Sequence, residues 1–243
     1  MITALYSKAC SIPGWIRDGD NLDTAIINVG HEDLAPYKLV VVPADYVMDE
    51  SSAKSASRLR AQWRHGAYDG VFSQGGRTWA MVQHFAAWPP QRCVRVQTNA
   101  FYDSPALKFH LDGKSIETDA RRYEVLEPST ATVLASFTNV PGHLPALTLN
   151  RFGEGKALYL ATESNASAMG PVASKVLQLA GIQRGPATPD GVYARVIEGR
   201  TLYVNTTSAP KNLPLGGSKR GILTNRVYNG TAVLGPLEAD LLQ

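Results

Sequence analysis

Four consecutive aliphatic residues, Leu39-Val40-Val41-Val42, are closed by Pro43. Such a run predicts a short strand covered on both faces, as in a parallel sheet. Ala25 to Val29, ended by Gly30, predicts a second strand, and the polar connector HEDLAPYK lies between the two. Beyond Pro43 the spacing becomes helical. Ala53, Ala56, Leu59, Arg60 and Trp63 recur on one face toward His65, with Asp49 or Ser51 available as a cap. Strand, connector, strand, helix is the order of an α/β layer. Residues 66–120 carry a weaker pattern. Gly70 to Ser73 suggests a strand, Trp79 to Phe85 a short helix stopped by Trp88-Pro89-Pro90, and Val94 to Gln97 an alternating strand.

The signal sharpens further on. Ala131 to Phe137 predicts a strand. Pro145 to Phe152 and Lys156 to Thr162 predict a hairpin joined at Gly153-Glu154-Gly155, where glycine can take the positive φ of a bulged turn. Met169, Val172, Ala173, Val176, Leu177 and Ala180 mark one face of a helix. Pro171 suits its first turn and Gly181 its stop. Residues 184–191, RGPATPDG, hold two prolines and two glycines and predict a domain boundary. Beyond it the chain shows only short strand candidates: Val192 to Val196, Leu202 to Asn205, Gly221 to Leu223 and Thr231 to Leu234. The expected class is therefore α/β over residues 1–184, followed by a small all-β, sandwich-like domain over 185–243.

Composition excludes more than it selects. The 243 residues are 44% hydrophobic and 19% charged, a globular balance rather than a disordered one. A formal charge of +3 is too small to point to nucleic acid or an anionic membrane. No stretch approaches the roughly 20 apolar residues of a membrane helix, and MITALYSKACSIPGW lacks the form of a signal peptide. Cys10 and Cys93 make no CxxC pair, so neither a structural zinc nor a disulfide framework is expected, and a cytoplasmic setting fits. The triplets at Asn165, Asn205 and Asn229 match the glycosylation pattern only formally.

No phosphate loop and no GxGxxG stands after a strand, and His31, His65, His84, His110 and His143 have no metal-ligand spacing. No cofactor is expected. Ser73, before Gln74-Gly75-Gly76, comes nearest to a nucleophile elbow but lacks the glycine two residues earlier. Glu117, Glu124, Glu127, Glu154 and Glu163 are the carboxylates placed at polar turns or strand ends. Glu163 stands out because it follows the Leu158–Thr162 run, where functional residues gather in open sheets. Trp79, Trp88 and Tyr102 lie in the irregular stretch, where aromatic rings suit a sugar face or an interface.

Several of these segments together resemble a known family. Tyr37-Lys38-Leu39-Val40-Val41-Val42-Pro43 resembles the opening of the middle domain of family 42 β-galactosidases. Asn150-Arg151-Phe152-Gly153-Glu154-Gly155-Lys156-Ala157-Leu158-Tyr159-Leu160-Ala161-Thr162 is similar to that family's hairpin. The helix ending Leu179-Ala180-Gly181-Ile182 and the tail segments Leu202 to Thr207, Leu213-Pro214-Leu215 and Gly235-Pro236-Leu237 follow in the family's order. The likeness is good over 121–243, fair over 34–50 and poor over 66–120. It implies a middle domain of class I glutamine amidotransferase-like, flavodoxin-like fold that mediates trimerisation, then a small β-domain. It also implies a catalytic (β/α)8 barrel, for which this chain has no room, so none of the family's catalytic residues carries over. Met1 to Cys10 either retains the family's first strand or already begins a helix.

Three readings follow. In the first, the chain is a non-catalytic homotrimeric scaffold allied to a β-galactosidase, with a barrel-bearing partner and a galactoside as possible ligand. In the second, it is a small hydrolase or amidotransferase-like enzyme around Ser73 and Glu163. In the third, it is a carbohydrate-binding module using Trp79, Trp88 and Tyr102.

Overall fold

A computed structural model describes residues 2–5, 21–27, 38–42, 66–69, 95–118, 122–152, 155–162 and 166–243. The chain divides into two compact units. One draws on Met1–Pro13 and Thr24–Ile182, the other on Gly14–Asp23 and Gln183–Gln243.

In the first unit, β1 (Ile2–Leu5), β2 (Thr24–Ile27), β3 (Leu39–Val42) and β4 (Gly66–Asp69) pair in parallel. β1 is thus a strand and lies between β2 and β3, which settles the question left open at the N-terminus. Moving along the chain, β5 (Val96–Asp103) and β8 (Arg122–Pro128) form one antiparallel pair. It encloses a second, β6 (Leu107–Leu111) with β7 (Lys114–Thr118). β9 (Thr132–Ser136), β10 (Pro145–Phe152) and β11 (Gly155–Leu160) follow. β10 and β11 make the expected antiparallel hairpin, and β11 joins the parallel set beside β4. The resulting seven-stranded sheet has the order β2-β1-β3-β4-β11-β10-β9.

The expected α/β, flavodoxin-like or class I glutamine amidotransferase-like open sheet is corrected here. The described residues are dominated by strands and hold one α-helix, α1 (Ala166–Ala180), so the class is β-rich. The helical spacing at 53–65 and 79–85 lies outside the described residues. The physical reason for the difference is in the stretch from 96 to 128, where the sequence pattern is weak beyond the alternating start at Val94–Gln97 and the chain folds as four strands. β6 shows why: its side chains alternate between buried and less buried positions, the period-two signature of a sheet with one covered face. The 111–114 connection carried a legible signal as well. Asp112 and Gly113 have φ of 50° and 77°, the two positive values a two-residue hairpin turn needs.

α1 buries Val172, Ala173, Val176, Leu177 and Ala180, the face predicted for it. It starts earlier than expected, so Pro171 sits inside the helix rather than in its first turn. Gly181, at φ +63°, ends it in a Schellman arrangement. The Gly181 amide donates to the Gln178 carbonyl at 3.2 Å and the Ile182 amide to the Leu177 carbonyl at 2.9 Å. Lys156 Nζ donates to the Leu179 carbonyl at 3.1 Å, placing a cation at the negative end of the helix.

The regular structure of the second unit, among the described residues, is all strand. β12 (Val192–Ile197), β13 (Arg200–Asn205) and β16 (Ala239–Leu242) form one sheet, and β14 (Lys211–Arg220) pairs with β15 (Val227–Leu234). Its core comprises Val192, Ala194, Tyr203, Leu213, Tyr228, Ala232, Leu234 and Leu242. Of the strand expected at Gly221–Leu223, Gly221 makes a single antiparallel bridge to Leu242, while Ile222 and Leu223 lie in the turn between β14 and β15. That turn is tied to fully buried Asp240. Oδ1 accepts from the Leu223 amide at 3.1 Å and Oδ2 from the Thr224 and Tyr228 hydroxyls at 2.5 and 2.8 Å. Burial alone would push this carboxyl up. The hydrogen bonds outweigh it and hold the group below its ordinary value.

Two buried asparagines organise the rest of this unit. Asn205 Nδ2 donates to the carbonyls of Ala209 (2.8 Å) and Gly235 (2.7 Å), while its Oδ1 accepts from the Thr207 amide at 3.0 Å. That engagement leaves its triplet unavailable as a glycan acceptor. Asn21, at φ 47°, donates to the Pro186 carbonyl at 2.7 Å and accepts from the Ala194 amide at 2.7 Å.

Candidate functional site

The described part of the predicted site is Tyr102; Trp79, Trp88 and Glu163 lie outside the described residues, as do Ser73, His31 and His84. Tyr102 sits near the end of β5, in antiparallel register with Tyr123 of β8, their ring centroids 6.0 Å apart. Tyr123 continues inward to Phe137 at 5.5 Å, and Phe137 meets Phe109 edge-on at 6.2 Å. Phe109 and Phe137 are fully buried, whereas Tyr102 is 56% exposed. The four rings form a file from core to surface, with Tyr102 as its outer end.

The next cross-strand pair is polar. Arg122 Nε donates to Asp103 Oδ1 at 3.0 Å, an exposed ion pair beside the Tyr102 ring. The strand pairing that places these residues is anchored at the end of β11. Tyr123 bridges Thr162, the Thr162 hydroxyl donates to the Arg122 carbonyl at 3.0 Å, and the Glu124 amide donates to the Ala161 carbonyl at 2.8 Å. The structure thus brings Arg122 and Tyr123, with Tyr102 across from Tyr123, beside Ala161 and Thr162, just beyond β11.

Glu124 is not at a turn or a strand end, as the sequence suggested, but inside β8 and 2% exposed. Its Oε2 accepts from the Tyr159 hydroxyl at 2.7 Å and the Thr98 hydroxyl at 2.8 Å, so one carboxylate joins β8, β11 and β5. A carboxylate buried this deeply between strands is a cross-link rather than a group offered to substrate. Among the described residues no three His, Cys, Asp or Glu side chains are grouped to hold a metal ion. The arrangement around Tyr102 offers an aromatic face with one cationic and one anionic neighbour. Chemically it suits binding, by stacking and hydrogen bonding.

Comparison with known proteins shows what this surface resembles. Residues 90–183 match the β-galactosidase trimerisation domain. The match confirms the resemblance read from the sequence, and it places β5 to β11 and α1 of this chain within the trimerisation-domain segment. It also takes in residues 90–120, where the family's motifs are poorly kept. No curated protein matches the chain.

Among solved structures, a β-galactosidase from Bacillus circulans sp. alkalophilus is 20% identical with a TM-score of 0.76, covering 99% of this chain and 41% of its own. A β-galactosidase from the haloarchaeon Halorubrum lacusprofundi is 19% identical with a TM-score of 0.74, covering 100% and 39%. An α-L-fucosidase from Paenibacillus thiaminolyticus is 11% identical with a TM-score of 0.61, covering 99% and 48%. At these identities the likeness is one of fold. The chain spans less than half the length of each of these relatives, so it aligns with one portion of a longer protein. Among the described residues no helix is long and apolar enough to cross a membrane.

Proposed function

We propose that this chain is a non-catalytic oligomerisation and scaffold region of the family 42 β-galactosidase type. It works as a homotrimer and helps shape a sugar pocket on a partner that carries the catalytic barrel. The working division is a trimerisation domain over 1–184 and an accessory β-domain over 185–243. The observation that carries the reading is the trimerisation-domain match over 90–183, joined to a fold likeness that spans nearly the whole chain but only about two fifths of the β-galactosidases. Its composition, with two cysteines and no paired framework, supports assigning it to the reducing cytoplasm.

Light scattering on the purified full chain tests the reading directly. The expected mass is three times the 26.2 kDa protomer at micromolar concentration. A chromogenic β-galactoside should show no turnover by this chain alone. A strictly monomeric sample would remove the proposal. So would unaided cleavage that is lost on changing one of the chain's own side chains.

A further inference from the structure

We propose that Tyr102, flanked by the Arg122–Asp103 ion pair, is the anchor through which one copy of this chain packs against a second copy. The inference rests on the oligomeric reading above and adds the surface that does the work. Within residues 90–183, the described large hydrophobic side chains that stand exposed are Tyr102 at 56% and Val133 at 41%. Valine is under-represented among residues that dominate interfaces, whereas tyrosine and arginine are enriched there.

Tyr102 also meets the physical requirements of an anchor. Its ring is backed by Tyr123, Phe137 and Phe109, so its outer face is presented from a packed base rather than from a loose loop. Little conformational entropy remains to be lost when a partner covers it. The Arg122–Asp103 pair carries both signs on adjacent strands. A surface of mixed sign can meet a copy of the same chain without the net repulsion that a single-sign patch would bring. The partner strand β8 is fastened to β11 through Glu124 and Thr162, so the ring and the ion pair are held on one rigid frame. Because closed threefold rings repeat one contact, loss of a single anchor is felt three times in the assembly.

The test uses the full chain and its variants Tyr102→Ala, Tyr102→Phe and Val133→Ala, each checked for folding by far-ultraviolet circular dichroism. Sedimentation over a concentration series should show Tyr102→Ala dissociating at roughly 30-fold higher concentration than the parent, the change expected of a dominant interface residue. Tyr102→Phe, which keeps the ring, and Val133→Ala should stay close to the parent. Hydrogen exchange on the unaltered protein gives a second readout that needs no variant. Amides of residues 100–103 should gain protection as concentration rises through the association range.

The outcomes separate cleanly. If the parent is trimeric and Tyr102→Ala associates equally well, the anchor is wrong while the oligomeric reading stands. Concentration-independent exchange at 100–103 overturns it in the same way. If the parent is monomeric, both fail together. If Tyr102→Ala remains trimeric but loses a galactose-induced change in the aromatic spectrum, the ring serves a sugar and the interface assignment is overturned.

Discussion

Asp240 and Gly221 can occupy their places only because Gly221 has no side chain: a Cβ built there would run into the Asp240 carboxylate. The turn between β14 and β15 is therefore shaped around a buried charge. Gly221→Ala should force either the carboxylate or the turn to move, at a cost of about 1–3 kcal/mol. Asp240→Asn should cost about 3 kcal/mol, because an amide nitrogen would face donors that the carboxylate now satisfies. Chemical denaturation of each variant checks both values. If the two losses add in the double variant Gly221→Ala/Asp240→Asn, the two residues are independent and the relationship is wrong.

The same carboxylate sets a pH dependence. Its native pKa lies below its ordinary value, so the native state holds the ionised form more tightly than the unfolded chain does. That stabilisation is fully present above the unfolded value, about 4, and is lost as pH falls through the native one. Thermal melts between pH 7 and 2.5 should show the parent losing stability on the acid side more steeply than Asp240→Asn. Parallel acid limbs for the two proteins would assign the loss to other carboxylates.

Glu124 links three strands through two hydroxyls. Removing one of them, in Tyr159→Phe, keeps the ring and deletes a hydrogen bond to a buried carboxylate. The expected loss is about 1.5–3 kcal/mol, with the fold intact by circular dichroism. A change within about 0.5 kcal/mol would mean that the Tyr159–Glu124 contact contributes little.

Asn205 gives a sharper comparison. Its amide nitrogen faces the carbonyls of Ala209 and Gly235, so Asn205→Asp would turn an acceptor toward acceptors. Asn205→Asp should therefore destabilise the second unit at least as much as Asn205→Ala, by about 2–4 kcal/mol. Melting curves in which aspartate is better tolerated than alanine would contradict the assigned orientation of the amide.

The legible parts of this protein share a cause. Leu39–Val42, the β10–β11 hairpin and α1 each announce themselves through local pattern: an unbroken aliphatic run, two runs joined near glycines, or a 3.6-residue period ended by Gly181. The segment from 96 to 128 is harder to read because its strands bear many polar residues and their burial does not alternate throughout: in β8 the neighbours Tyr123 and Glu124 are both buried. Asp112-Gly113 was the readable clue there, and Glu198-Gly199, with φ of 50° and 78°, repeats it between β12 and β13. In sequence, Tyr102 is one aromatic residue in a stretch of irregular pattern. Nothing local indicated that it ends a file of rings, because Tyr123 and Phe137 approach it from other strands.

By itself, the sequence determined the aliphatic strands, the hairpin, the helix with its glycine stop, the change of texture after residue 191 and the family likeness. All of these depend on neighbours along the chain. Tertiary structure alone decided the β-rich class over 96–128, the burial of Glu124 and Asp240, the gathering of Asn21 with residues 186–194, and the place of Tyr102 beside Arg122 and Asp103. The physical reason is that a polar residue looks the same in sequence whether water or protein satisfies it. Only the fold supplies the distant hydroxyls, amides and rings that let these groups leave the solvent or hold them at its edge.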